Sequence, residues 1–256
     1  MKRTAAIFAI LAGPALAEAH DPAFRANFTL GLGAQSAPTY FGSDETTIGP
    51  TGSFGFGSLN IGSLSFGGGD PNGIGFKGGF RYIGERSGDD YAELTGLDDV
   101  DAALELGGGL TFTDTANGTT DNWGSYSFAE VRYGVVGHET WVAEIGSDLV
   151  YAPTRDLTLT LGPRLFGGTD DYSATYFGIT QSEAESSAFP AYNAGGGILS
   201  RGLEASATYT MTDIWGITGT VTYEEFLNDA ADSPIVQQGS SDQISASILL
   251  TRSFSF

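Results

Sequence analysis

From residue 24 onward, apolar and polar side chains alternate with a period of two, in runs of about 8 to 13 residues broken by turn residues. Ala26, Phe28, Leu30, Leu32 and Ala34 alternate with Asn27, Thr29, Gly31 and Gly33. Val100, Ala102, Leu104, Leu106, Leu110 and Phe112 oppose Asp101, Glu105, Thr111 and Thr113. Leu203, Ala205, Ala207, Tyr209 and Met211 oppose Glu204, Ser206, Thr208 and Thr210. A helix would scatter such residues around its circumference, whereas a strand puts them on one face. The pattern predicts strands over 24–34, 48–57, 59–66, 74–83, 100–113, 123–136, 140–151, 156–167, 190–199, 202–212, 215–227 and 243–256. That makes about twelve strands. Ten remain if 48–57 and 59–66, weakened by glycine and Pro50, drop out.

A soluble sandwich would bury the apolar faces against a second sheet, and a membrane barrel would turn them to lipid. Strand lengths near the ~9–11 residues that cross a bilayer favour the barrel. So does the closing segment, whose apolar row is Ile244, Ala246, Ile248, Leu250, Phe254 and Phe256. Its aromatic end, Phe254 and Phe256, resembles the signal read by outer-membrane assembly machinery. Arg252 interrupts the row at a position from which it can snorkel. The expected fold is therefore all-β, a transmembrane antiparallel up-and-down β-barrel. Tyr40, Trp123, Trp141, Tyr151, Trp215 and Tyr223 near strand ends suggest an aromatic girdle. With twelve strands and periplasmic termini, the long segments 84–99 and 168–189 fall on the periplasmic side.

Export is expected as well. Lys2 and Arg3, the apolar run Ala5 to Ala12 and Ala15-Leu16-Ala17 read as a signal peptide over 1–17, leaving one barrel domain over 18–256. The 256 residues carry 31 acidic against 11 basic side chains, a net charge of −20, which argues against nucleic acid as a partner. With no cysteine, thiolate catalysis and Cys-type zinc sites are excluded. His20 and His138 are the only histidines. His138 lies in the turn Gly137-His138-Glu139-Thr140 and reads as solvated, so no catalytic residue is assigned. Asp229, Asp232 and Asp242 match no calcium-loop spacing, and neither metal nor cofactor is expected. Lumen-facing Arg25, Lys77, Arg81, Arg132 and Arg164 share their face with Glu105, Glu130, Glu144, Asp148, Glu204 and Glu224. Unpaired charge in a narrow interior is costly, so these groups should pair. They either brace a closed lumen or form the eyelet of a small channel.

Several motifs carry a family resemblance. They are Pro38-Thr39-Tyr40-Phe41-Gly42-Ser43-Asp44, Asp171-Tyr172, Tyr176-Phe177-Gly178-Ile179-Thr180 with Ser182, Tyr192, Trp215 and Val221-Thr222-Tyr223. The most specific is Leu227-Asn228-Asp229-Ala230-Ala231-Asp232-Ser233-Pro234-Ile235-Val236. Together they resemble the MltA-interacting protein family, also called MipA/OmpV, although Asn228 stands where that family often has glycine. The resemblance implies a non-enzymatic barrel in the outer membrane of a Gram-negative bacterium, in contact with its lipid. It further implies a scaffold joining a murein hydrolase, a lytic transglycosylase, to a murein synthase in peptidoglycan assembly. A small passive channel or a surface-exposed adhesin is the alternative. For a periplasmic partner, Tyr91, Leu94, Leu97, Tyr172, Tyr176 and Phe177 are the candidate docking anchors within the two acidic segments.

Overall fold

The alternating runs fold into one antiparallel sheet. The computed structural model describes residues 24–61, 64–67, 72–88, 91–115 and 122–256. The expected signal peptide and His20 lie outside these residues. The strands are β1 (Phe24–Pro38), β2 (Thr46–Ile61), β3 (Leu64–Gly67), β4 (Gly73–Ile83), β5 (Ala103–Thr115), β6 (Trp123–Val136), β7 (Trp141–Tyr151), β8 (Leu157–Gly168), β9 (Gly197–Thr210), β10 (Trp215–Phe226) and β11 (Asp242–Ser255). Their order is β3-β2-β1-β11-β10-β9-β8-β7-β6-β5-β4. The first and last strands thus pair, with Asn27 opposite Ser255 and Ser36 opposite Ala246. The sheet curls until β2 runs beside β4, but among the described residues no hydrogen-bonded ladder joins them.

Ten strands are long and β3 is a four-residue stub. Two expected boundaries move. Most of 48–61 is one strand, because the glycines that weaken it do not break its pairing with β1 from Phe24↔Ile61 to Pro38↔Thr46. The expected segments 190–199 and 202–212 meet in a single β9, which crosses Gly202 opposite Glu224 without a turn. These changes reverse the parity of everything between them. The connections 39–45, 84–102, 137–140, 169–196 and 227–241 now share one end, opposite the end that holds Phe24 and Phe256. The placement of 84–99 and 168–189 beside the chain termini is therefore corrected.

The outward face separates a membrane barrel from a soluble sandwich. Ile74, Phe76, Leu110, Ile145, Leu203, Val221 and Ile248 are all exposed, in rows that no second sheet covers. Soluble proteins rarely leave so large an apolar belt open. Aromatic pairs bound it. Trp123 stacks on Tyr151 at 4.3 Å near the terminal end, and Tyr133 packs on Trp141 at 5.1 Å near the loop end. Trp123 and Tyr133 stand ten residues apart on β6. At ~3.3 Å per residue and a tilt of ~40°, the two girdles lie roughly 25 Å apart, the height of a bilayer-facing band. Arg252 belongs to the lower girdle, its guanidinium 5.3 Å from the Trp215 ring centre and 4.9 Å from that of Phe254. Phe254 and Phe256 stack on Phe28 across the β1–β11 junction. Tyr40 is not a girdle residue, because it is buried among the loops.

The conventional hydrophobic core sits at the loop end. The segment 84–102, the helices α1 (Asp170–Phe177) and α2 (Gln181–Ser186), and the helices α3 (Asn228–Asp232) and α4 (Pro234–Gln238) fold together as a cap. Leu94, Leu97, Ile179, Phe189 and Ile235 form one cluster, and Tyr172, Tyr176, Phe177, Phe226, Ala230 and Val236 another. Gly42, at φ +95°, lies so close to Val236 that a Cβ would sit 2.7 Å from its Cα. Asn228 takes φ +52° at the start of α3, a left-handed conformation asparagine tolerates better than most residues, and thereby stands in for glycine.

Lipid contact makes a clear prediction. Ile248, 60% exposed at mid-strand, would accept arginine readily in water. In a bilayer Ile248→Arg should cost about 2–4 kcal/mol and weaken the heat-modifiable gel shift of a folded barrel. Replacing Phe254 and Phe256 with Asp should impair insertion through lost stacking at the β1–β11 junction. Normal assembly of both variants would refute the membrane placement of this strand.

Candidate functional site

Inward positions of β4 to β9 carry the charges. Arg132 of β6 lies at the centre with its side chain 4% exposed. Its Nε donates to Glu105 Oε2 at 2.9 Å, and its Nη1 reaches Glu144 Oε2 at 3.1 Å and also Glu130. Lys77 Nζ closes on Glu130 Oε2 at 2.7 Å and stands 3.8 Å from the Phe128 ring centre. One register further along the wall, Arg164 binds Asp148 through both terminal nitrogens at 2.7 and 3.1 Å, and Glu204 at 2.8 Å. Thr222 adds a hydrogen bond to Glu204. Glycine gives these groups room: a Cβ on Gly146 would lie 2.5 Å from the Phe128 ring and 2.9 Å from Arg164 Nη1. The opposite wall, from Thr218 and Thr220 to Ser245, Ser247, Gly31 and Gly33, carries hydroxyls and glycines instead.

His138 is not solvated. Its side chain is fully buried, with Nε2 3.2 Å from Glu105 Oε1. The Thr140 amide donates to Nδ1 at 3.3 Å, so the ring proton belongs on Nε2, directed at the carboxylate. Tyr172 and Tyr176 present ring edges to it at 5.0 and 5.9 Å. The turn from Gly137 to Thr140 folds inward because Gly134 leaves the space; a Cβ there would lie 2.5 Å from the imidazole. Glu105 thus ties the luminal network to the cap. Both imidazole nitrogens are engaged, which makes the ring a brace between wall and cap.

Of the six docking candidates, Leu94, Leu97, Tyr172, Tyr176 and Phe177 are buried inside the cap and Tyr91 is half-buried, its ring 5.4 Å from that of Tyr40. They hold the loops to one another, and of the six only Tyr91 keeps part of its surface open. The resemblance motifs of the loops converge here as well, whereas Trp215 and Val221-Thr222-Tyr223 lie in β10. Ser233 donates to the Phe177 carbonyl at 2.7 Å, Tyr192 to the Asp229 carbonyl at 2.9 Å, and Phe41 packs edge-on to Tyr176 at 5.1 Å. Asp229 also accepts from the Gly195 amide at 2.8 Å. Among the described residues, no group of three histidine or carboxylate side chains is arranged to hold a metal.

A family model described as MltA-interacting protein MipA matches residues 30–254. The chain belongs to this family. It is an outer-membrane β-barrel protein. No curated protein sequence matches it. Solved structures similar to it include an outer-membrane channel from Pseudomonas putida F1, 13% identical over 94% of this chain and 99% of that one, with a TM-score of 0.48. The NanC porin is 9% identical over 89% and 99%, with a TM-score of 0.38. OprB of Pseudomonas putida is 10% identical over 91% and 95%, also at 0.38.

Tyr40 and Glu183 are among the cap groups that titrate away from their ordinary values. Burial and the neighbouring Glu93 carboxylate push Tyr40 up to about 12. Burial would raise Glu183, but hydrogen bonds from the Thr180 hydroxyl, its amide and the Asp98 amide outweigh it and hold the carboxyl below the usual range. Thr180 and Glu183 form a capping box at the start of α2, a signal present in the sequence as Thr-x-x-Glu.

The network and the cap each yield a prediction. Arg132→Ala would strand Glu105, Glu130 and Glu144 without their shared partner and should cost about 3–5 kcal/mol. Planar-bilayer current should rise above that of the wild type in this variant; an unchanged melting point and current would refute the bracing role. For Glu183, the folded pKa lies below the unfolded value of ~4.3, so its contribution is present above that pH and lost as pH falls through the folded pKa. Proteolysis within 169–196 should accelerate below about pH 4 in the wild type. In Glu183→Gln the same cleavage should be faster at neutral pH and flatter with acid.

Proposed function

We propose that this protein is a non-enzymatic interaction protein that holds a murein hydrolase at the outer membrane, and through it a murein synthase. The family description names an interaction with MltA, and the observation that carries the reading is the interior. Lys77, Arg132 and Arg164 are bound to luminal carboxylates while a folded cap covers one mouth. Such a barrel offers its surfaces rather than a wide pore. Barrels of this kind keep short turns on the periplasmic side and longer loops outside. By that rule the cap faces outward, and among the described residues the turns 152–156 and 211–214 lie on the periplasmic rim. Met211 and Ile214 are exposed there and serve as the apolar contacts for the hydrolase. Export through the leader over 1–17 belongs to the same proposal. The hydroxyl-lined wall opposite the charges favours a second reading, a narrow channel, which the bilayer current distinguishes.

The test uses the barrel in nanodiscs and a purified lytic transglycosylase. Met211→Asp with Ile214→Asp should weaken binding at least about fivefold. Shortening 181–188 to a Gly-Asn turn should leave binding unchanged. The reverse pattern would overturn the periplasmic rim. A cysteine replacing Ser182 should react with an impermeant thiol reagent on intact cells, and failure to label would invert the orientation.

A further inference from the structure

The seam between β2 and β4 holds two cavities that meet. One, of about 300 Å³, lies under the cap and is lined by residues from both faces of the sheet: inward Thr51 and Arg81, outward Gly52, Phe80 and Tyr82. The other, of about 450 Å³, is an apolar crevice on the outer side, lined by Leu30, Leu32, Phe54, Phe80 and Leu106 with Gly52 and Gly78. Gly52 and Phe80 border both. Among the described residues no ladder joins β2 to β4 along this part of the wall, and the two cavities share its lining.

The luminal end of this passage is polar and cationic. Arg81 differs from Lys77, Arg132 and Arg164 in having no carboxylate within 4.0 Å among the described residues. Its guanidinium is held between aromatic rings instead, 5.0 Å from the Phe166 centre and 5.5 Å from that of Phe41. Tyr176 lines the same cavity, is 4% exposed, and its hydroxyl has no hydrogen-bond partner. Arg86 is committed to the Tyr176 carbonyl at 3.1 Å. Glu224 also lines the cavity. An open guanidinium fork and an unpartnered hydroxyl, with the Glu224, Glu105 and Glu144 carboxylates close enough to act on Arg81, suit a planar monoanion better than a dianion.

We propose that the β2–β4 seam binds a single-chain carboxylate amphiphile from the membrane, its headgroup on Arg81 and Tyr176 and its chain in the outer crevice. Arg81 accepts the carboxylate through two parallel N–H donors, and the Tyr176 hydroxyl donates to the same group. The chain extends past Phe80 along Leu30, Leu32 and Leu106, where it stays in contact with lipid. Glycine at 52 and 78 keeps the crevice open on both sides. This site is independent of the interaction with a murein hydrolase, which uses a different end of the barrel.

The experiment measures dodecanoate and dodecanol binding to the full barrel in nanodiscs, with gel-shift confirmation that each variant is folded. Dodecanoate should bind saturably and at least about tenfold more tightly than dodecanol. Arg81→Ala should remove that preference and Arg81→Lys should retain part of it, because a lysine keeps the charge without the fork. Gly78→Trp fills the crevice away from the headgroup and should weaken dodecanoate several-fold. Equal binding of the two probes to the wild type would leave only annular lipid contact and overturn the proposal, whatever the folding of the Arg81 variants. Undiminished binding to Gly78→Trp would overturn the lateral placement of the chain.

Discussion

Hydrocarbon offers no hydrogen bonds, so a chain that crosses it as strands must satisfy every backbone N–H and C=O within the sheet. That constraint organises the rest. It brings β1 against β11 with the register from Asn27↔Ser255 to Ser36↔Ala246, and it turns the apolar row of each strand outward. What remains inside is the polar row, and the interior has to neutralise its own charges. Arg132, bound to Glu105, Glu130 and Glu144, and Arg164, bound to Asp148 and Glu204, are the solution. Among the described residues the ladder stops between β2 and β4.

The molecule consequently has two kinds of stability. The barrel wall depends on ladders, girdles and luminal ion pairs, and its apolar side chains gain little by leaving water for one another. The cap depends on ordinary burial: Tyr172, Phe177, Leu94, Ile235 and Val236 are almost fully enclosed. Glu105 joins the two systems, since one carboxylate receives both Arg132 from the wall and His138 beneath Tyr172. A disturbance in the cap therefore reaches the luminal charges through this shared group. The same arrangement explains why most of the motifs that resemble the family lie in loops, because their side chains close the cap against one another and against Gly42.

Strand identity and facing were legible in the residues. The alternation around Leu30, Leu104 and Leu203 has period two, and its outward row is the row the structure exposes. The luminal charges were legible as a set because they lie on one parity of positions. The cap was harder to read. Leu94, Tyr172 and Phe177 look like surface anchors in a loop sequence, and only the meeting of four connections shows that they cover one another. The capping box at Thr180 and Glu183 was a readable signal for α2. His138 gave none, because its burial depends on the absence of a side chain at Gly134, on the strand that leads into its turn.

By itself the sequence determined an all-β membrane barrel with a polar, charged interior, since side-chain period and strand length follow from local geometry. Tertiary structure alone decided the count and hence the sidedness. Whether Leu59 to Phe66 forms a crossing strand depends on partners far along the chain, and pairing with β1 carried β2 through to Ile61. One strand more or fewer reverses every connection that follows. Long-range pairing likewise selected which carboxylate each arginine meets, and left Arg81 beside the seam between two rings, because those distances are set by the curvature of the curled sheet.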